Sequence, residues 1–278
     1  MRICLHMAGI IVALLAAGPA AAQPVLGTTG DMNAPPLEWA GKLRGKTPDG
    51  SGFYCSAQFI APRVLLTAGH CIRNLKDNTF NSDFAFFLQY QSGGWTHVYH
   101  GLCWSVPAAY SLPPDFASHT GEQQQRDVFT ADQYDYGMIL VDTPSTTGYF
   151  HGWAGSWKEG DWHGATKIGY PADVAAGQLI QLAHGALIFA DDIPLLGARA
   201  FPRLLALWQD NPRLTEGTSG GGWVGNFSTQ EGPQSNVLIS LTSFYFRDHP
   251  EMSYGPQFDQ QIFQQMLDHV AAGGCLGR

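Results

Sequence analysis

Three short stretches of the chain hold residue types that can carry out nucleophilic chemistry together. In Thr67-Ala68-Gly69-His70-Cys71 a histidine follows a β-rich run, with Cys55 sixteen residues before Cys71. Imidazole titrates near neutral pH, so it can take a proton from a hydroxyl and later return it. In Gly217-Thr218-Ser219-Gly220-Gly221-Gly222 a serine sits inside a glycine-rich loop. Glycines let backbone approach a substrate closely, and the amides of Gly217 and Ser219 could then converge on a developing oxyanion. In Tyr134-Asp135-Tyr136-Gly137-Met138 an acid stands immediately before an apolar run. A buried carboxylate there would accept the second imidazole N–H and stabilise the imidazolium. Asp132 and Asp142 compete for the role; the first lies further from the apolar run and the second follows it. Each stretch alone also has a plain reading: a structural His-Cys pair, a flexible turn, a strand-end acid.

The elements that must position these residues are short and β-rich. EWAGKLRG, FYCSAQFI, VLLTAGH, DFAFFLQY, WTHVYHGLCW and YGMILVD are separated by Gly, Asp, Asn and Pro, which marks an all-β half. A second set follows with HGATKIGYP, QLIQLAHGALIFA and NVLISLTSFYF. Near the end, Phe258, Ile262, Phe263, Met266, Leu267 and Val270 recur on one helical face before Gly273-Gly274, predicting a C-terminal amphipathic helix with a glycine stop. No internal repeat appears, and the boundary falls near residues 143–155, giving halves over 37–148 and 149–278.

The first 22 residues read MRICLHMAGIIVALLAAGPAAA: a basic start, an apolar stretch too short for a bilayer, a Gly18-Pro19 break and small residues. This predicts a secretory signal peptide over 1–22, and hence a secreted or periplasmic protein with no membrane anchor after cleavage. Residues 23–36, rich in Gly, Thr, Pro and Ala, read as an arm or short pro-segment. With 15 basic and 23 acidic residues, the chain is a poor partner for nucleic acid. Cys55, Cys71, Cys103 and Cys275 remain for an oxidising compartment, where four cysteines allow three pairings. No spacing suits a metal site, and no cofactor is expected.

Taken together, TAGHC resembles the T-A-A-H-C block of chymotrypsin-like serine peptidases, DYGMI their D-I/Y-A-L-I block, and GTSGGG their G-D-S-G-G-P block. The three occur in that family's order of His, Asp, Ser. The resemblance runs from about Glu38 to the C-terminal helix. It implies two six-stranded antiparallel β-barrels with the cleft between them and a closing helix, and a secreted monomeric endopeptidase acting on proteins or peptides. His70, Asp135 and Ser219 would form the triad, and Gly217 and Ser219 the oxyanion hole. We expect disulfides Cys55–Cys71 and Cys103–Cys275.

Three departures from the family blocks matter. Gly69 replaces an alanine, a small-for-small change. Gly222 and Trp223 stand where proline is usual. Thr218 stands where trypsin-type enzymes carry an aspartate that pairs with a newly cut N-terminus, so activity should not depend on that switch. The position that lies at the pocket base in trypsin-type relatives holds Arg213, which argues against a preference for Lys or Arg. Arg213 would favour an acidic side chain or be a solvated loop charge. Phe244 and Tyr245 line or narrow the pocket, or pack in the core. The competing function is a non-catalytic binding protein on the same fold. An esterase of another fold is disfavoured, because α/β-hydrolases place the serine before the histidine.

Overall fold

The computed structural model describes residues 31–158, 160–189, 201–210 and 215–277. The segment 1–22, most of the 23–36 arm and Arg213 lie outside the described residues. Six strands build the first half: β1 (Ala40–Lys46), β2 (Gly52–Ala61), β3 (Val64–Thr67), β4 (Ser82–Leu88), β5 (His97–Ser105) and β6 (Gly137–Val141). They close into a barrel in the order β1-β2-β3-β6-β5-β4. Alternation drives the closure: Phe84, Phe86 and Leu88 of β4 point inward, and Phe59 meets Phe86 and Tyr99 edge to face with centroids 5.4 and 4.9 Å away.

The second half holds β7 (Gly152–Trp153), β8 (Gly164–Gly169), β9 (Gln181–Phe189), β10 (Leu204–Gln209), β11 (Gly222–Gly225), β12 (Val237–Leu241), β13 (Phe244–Phe246) and β14 (His249–Pro256). Among the described residues these form one curled eight-stranded half-barrel, ordered β13-β14-β10-β9-β8-β11-β12-β7. The double-barrel architecture is therefore present, but the second half differs in detail from a closed six-stranded antiparallel barrel. Two short edge pieces add to it, and one of them, β7, pairs with β12 in parallel.

Among the described residues two α-helices flank the barrels. Helix α1 (Gly121–Asp132), capped by Thr120, was not legible in the sequence. Its GEQQQRDVFTAD run has no apolar stripe, and only Phe129 and Ala131 are buried. Helix α2 (Gln260–Ala271) begins at Asp259, whose carboxylate accepts the Gln261 and Ile262 N–H groups. It buries Phe263, Met266 and Val270, each worth about 1.5–3 kcal/mol, and packs on β6 and β5. Gly273, with φ of 82°, gives the left-handed stop that a Cβ would disfavour.

Both expected disulfides are present, Cys55–Cys71 and Cys103–Cys275. The first closes a short loop around the histidine turn and contributes roughly 3 kcal/mol through the unfolded chain. The second ties the chain end to β5, where Trp104 and Gly277 also form a bridge.

Candidate active site

His70 owes its position to a ladder and a bond. Strand β3 is buried throughout and pairs with β6 so that Leu66 faces Met138 and Thr67 faces Gly137. The residues just beyond that register, Ala68–His70 and Asp135–Tyr136, are thereby brought side by side. The turn Gly69–Cys71 is then fastened to β2 by the disulfide. A Cβ on Gly69 would come within 3.0 Å of Asp135 Oδ1 and 3.2 Å of Tyr110, so glycine gives the carboxylate its room.

The carboxylate of Asp135 grips the histidine twice. Oδ1 accepts the His70 backbone N–H at 2.7 Å, and Oδ2 lies 2.7 Å from Nδ1. The Ser243 hydroxyl also donates to Oδ2. Asp135 is 1% exposed, whereas the His70 side chain is 37% exposed, so the pair has a buried and an open end. Burial disfavours charge on both groups. The Asp135 charge and hydrogen bond outweigh it for His70, holding the imidazole above its ordinary 6.5. His70 and the donated hydrogen bonds likewise outweigh it for Asp135, which stays below the usual carboxylate range.

The competing acids are placed elsewhere. Asp142 Oδ1 accepts the N–H groups of His100 and Thr143. Asp132 ends α1, and burial together with the nearby Asp135 charge raises its carboxyl well above the usual range. Cys55, Cys71 and His70 come close enough to share a metal, but the two sulfurs are joined to each other.

Ser219 lies across the junction of the two halves. Gly217 and Gly220 adopt φ of 85° and 81°, and a Cβ on Gly220 would lie 2.1 Å from Thr67 Oγ1, so the loop is pressed onto the end of β3. Two buried polar residues of β2 brace it. Ser56 donates its N–H to Ser219 O at 2.8 Å and its hydroxyl to Gly217 O at 2.9 Å. Gln58 donates to Gly220 O at 3.1 Å and accepts the Gly222 N–H at 2.9 Å. Neither residue was singled out in the sequence, although two polar residues two apart in the buried run Cys55–Ile60 are the kind of signal that marks a built contact. Ser243 was likewise missed, since one hydroxyl before Phe244 carries no pattern.

Thr218 is fully buried, and its hydroxyl donates to Thr215 O at 2.6 Å. Among the described residues no group accepts the N–H of Gly217 or Ser219. A cleft of about 240 Å³ opens beside the serine, lined by Thr215, Glu216, Gly217, Thr242, Phe244 and Tyr245 among others. Phe244 both lines it and packs, stacking 5.0 Å from Tyr254 and 5.3 Å from Phe129 of α1.

No family model and no curated protein sequence matches the chain. Solved structures do. The protease Anisep from Arthrobacter nicotinovorans superimposes with a TM-score of 0.65 at 19% identity, over 84% of this chain and 96% of that one. A Glu endopeptidase gives 0.62 at 17%, over 91% and 98%. The VesB protease of Vibrio cholerae gives 0.56 at 14%, over 84% and 64%. A closed barrel, a curled half-barrel and a C-terminal helix, superimposable on these proteases across most of their length, identify the chain as having the chymotrypsin-like serine peptidase fold.

Proposed function

We propose that the protein is a secreted serine endopeptidase working through Ser219, His70 and Asp135. The observation that carries the reading is the buried Asp135 carboxylate locked onto His70 Nδ1, with the other edge of the imidazole at the open end of the pair. Asp135 fixes the tautomer that leaves Nε2 free to accept a proton. Ser219 Oγ attacks the scissile carbonyl as His70 takes its proton, and the N–H groups of Gly217 and Ser219 stabilise the oxyanion. His70 then protonates the leaving amine, and water releases the acyl group by the same steps in reverse. The apolar leader Met1–Ala22 and the two disulfides support export to an oxidising compartment. Among the described residues no helix is long and apolar enough to cross a membrane.

A fluorophosphonate probe tests the reading, because only a serine beside a general base is nucleophilic enough to react. The folded protein should be labelled on Ser219, and Ser219→Ala should remain unlabelled. A folded wild type that takes no label would favour the non-catalytic binding protein.

A further inference from the structure

We propose that the cavity between the loop after His70 and the loop at residues 111–117 docks an acidic residue of a polypeptide, with Arg73 as the group that holds its carboxylate. The site uses none of the groups assigned to the peptidase mechanism, and its binding is measured apart from any activity.

Arg73 forms an isolated bridge with Phe80, which folds the intervening loop back on itself, and its N–H donates to Gly69 O at 2.8 Å. The side chain is carried inward, 8% exposed, with the guanidinium 5.5 Å from the centroid of the buried Tyr110 ring. That ring accepts none of its hydrogen bonds: Nε and Nη2 are sealed from solvent and meet no acceptor. The acids of the two loops are engaged elsewhere, Asp115 with His119 and Asp77 with Asn74 and Thr79. Burial disfavours the Arg73 charge, and packing on one tyrosine would be served by an apolar side chain without that cost.

Arg73 lines a cavity of about 330 Å³, with the exposed Lys76 beside it and Leu75, Leu112, Pro113 and Phe116 among its walls. No acid is among the lining residues, in a chain with 23 acidic and 15 basic residues. The donors and the walls select the ligand together. Nε and Nη2 share one edge of the guanidinium, whose parallel N–H groups match the two oxygens of a carboxylate. A small turn of the side chain toward the cavity presents that edge, and Coulomb attraction in so poorly screened a place favours the turn. The apolar walls suit a carboxylate on an aliphatic stem, whereas a doubly charged phosphate would lose its hydration against them. Leu75 also lines the hollow of about 570 Å³ that contains His70, so a polypeptide passing the histidine can place a neighbouring residue in the cavity.

The test uses the full chain carrying Ser219→Ala, so that no peptide is consumed, and follows amide NMR shifts on titration with acetyl-Leu-Glu-Leu-amide or its Gln counterpart. The Glu peptide should bind at least about tenfold more tightly, the scale of one charge-assisted pair, with shifts centred on residues 73–76 and 112–117. Arg73→Met should bring the two peptides together. Exchanging a buried cation for an apolar residue is commonly neutral or stabilising, and a thermal melt checks the fold. Should that variant not fold, Lys76→Glu on the exposed rim carries the test, and it should weaken the Glu peptide several-fold. Equal binding of the two peptides, shifts centred on the cleft beside Ser219, or a Glu preference undiminished in either folded variant overturns the proposal. Propionate and inorganic phosphate are then competed against the Glu peptide. Propionate that displaces it at concentrations near the peptide's own Kd makes a free carboxylate the ligand and removes the polypeptide; phosphate that binds more tightly than propionate removes the carboxylate class.

Discussion

His70 and Asp135 are held within the first half by the β3–β6 ladder, a disulfide and two hydrogen bonds to a single carboxylate. From the second half, Ser243 adds a third hydrogen bond to that carboxylate. Ser219 is held differently. Its loop is tethered by hydrogen bonds reaching from Ser56 and Gln58 of the first half to backbone of the second. The His70–Asp135 pair is thus set mainly by the first half, whereas the position of Ser219, the proposed nucleophile, depends on how the two halves dock. Damage to the docking contacts should move the serine while leaving the histidine in place.

The largest effect that sharpens this contrast is expected at Asp135. Asp135→Asn keeps the shape but favours the wrong tautomer, and the general serine-protease template loses about 10⁴ in turnover for the equivalent change. Turnover near the wild-type value, with Asp132→Asn losing it instead, would move the acid to α1. A second effect separates the two regions by titration. The proposed mechanism needs neutral His70, whose value is raised above 6.5, so activity should fall as pH drops through a value higher than that of an ordinary histidine. Asp135→Asn removes the stabilising charge and should move this acidic limb to lower pH. A pH profile of kcat/KM with an unmoved limb would break the link.

Gln58→Ala should cost about 1–3 kcal/mol, because it strands the Gly220 carbonyl and the Gly222 N–H in a buried site. The acidic limb should stay where it is while the rate of fluorophosphonate labelling falls. An unchanged labelling rate would show that the nucleophile loop does not need its bracing from β2. The smallest effect is expected at the N-terminus. Thr218 is satisfied locally by Thr215, and an inserted ammonium would find only a hydroxyl there, a poor partner for a buried charge. Forms beginning at Gln23 and at Asp31 should have similar peptidase activity. The comparison stops at Asp31 because Met32 and Ala34 are buried and the Gln89 side chain donates to Met32 O. Activity that appears with only one free N-terminus would sink this point.

Much of the architecture could be read from the chain. Alternation in DFAFFLQY marks a strand because a barrel wall buries one face, and the Phe263, Met266 and Val270 spacing marks α2 because a helix buries one stripe. Helix α1 gave no such signal, since its stability comes from a Thr120 cap and from Phe129 packing on residues of the second half. The eight-stranded form of that half was illegible for a related reason. A two-residue strand such as β7 exists only because β12 lies beside it.

The same division runs through the candidate site. Local order along the chain is enough to mark TAGHC, DYGMI and GTSGGG, because tight turns and strand ends demand particular residues at fixed offsets. Which of Asp132, Asp135 and Asp142 touches the imidazole is a matter of register between β3 and β6, and periodicity carries no such information across 65 residues. The contacts of Ser56, Gln58 and Ser243 depend on side chains meeting elements far apart in sequence. Residue types alone determined the chemistry available to this chain; the docking of two barrels decided which of those groups stand within reach of one another, because hydrogen bonds act only over about 3 Å.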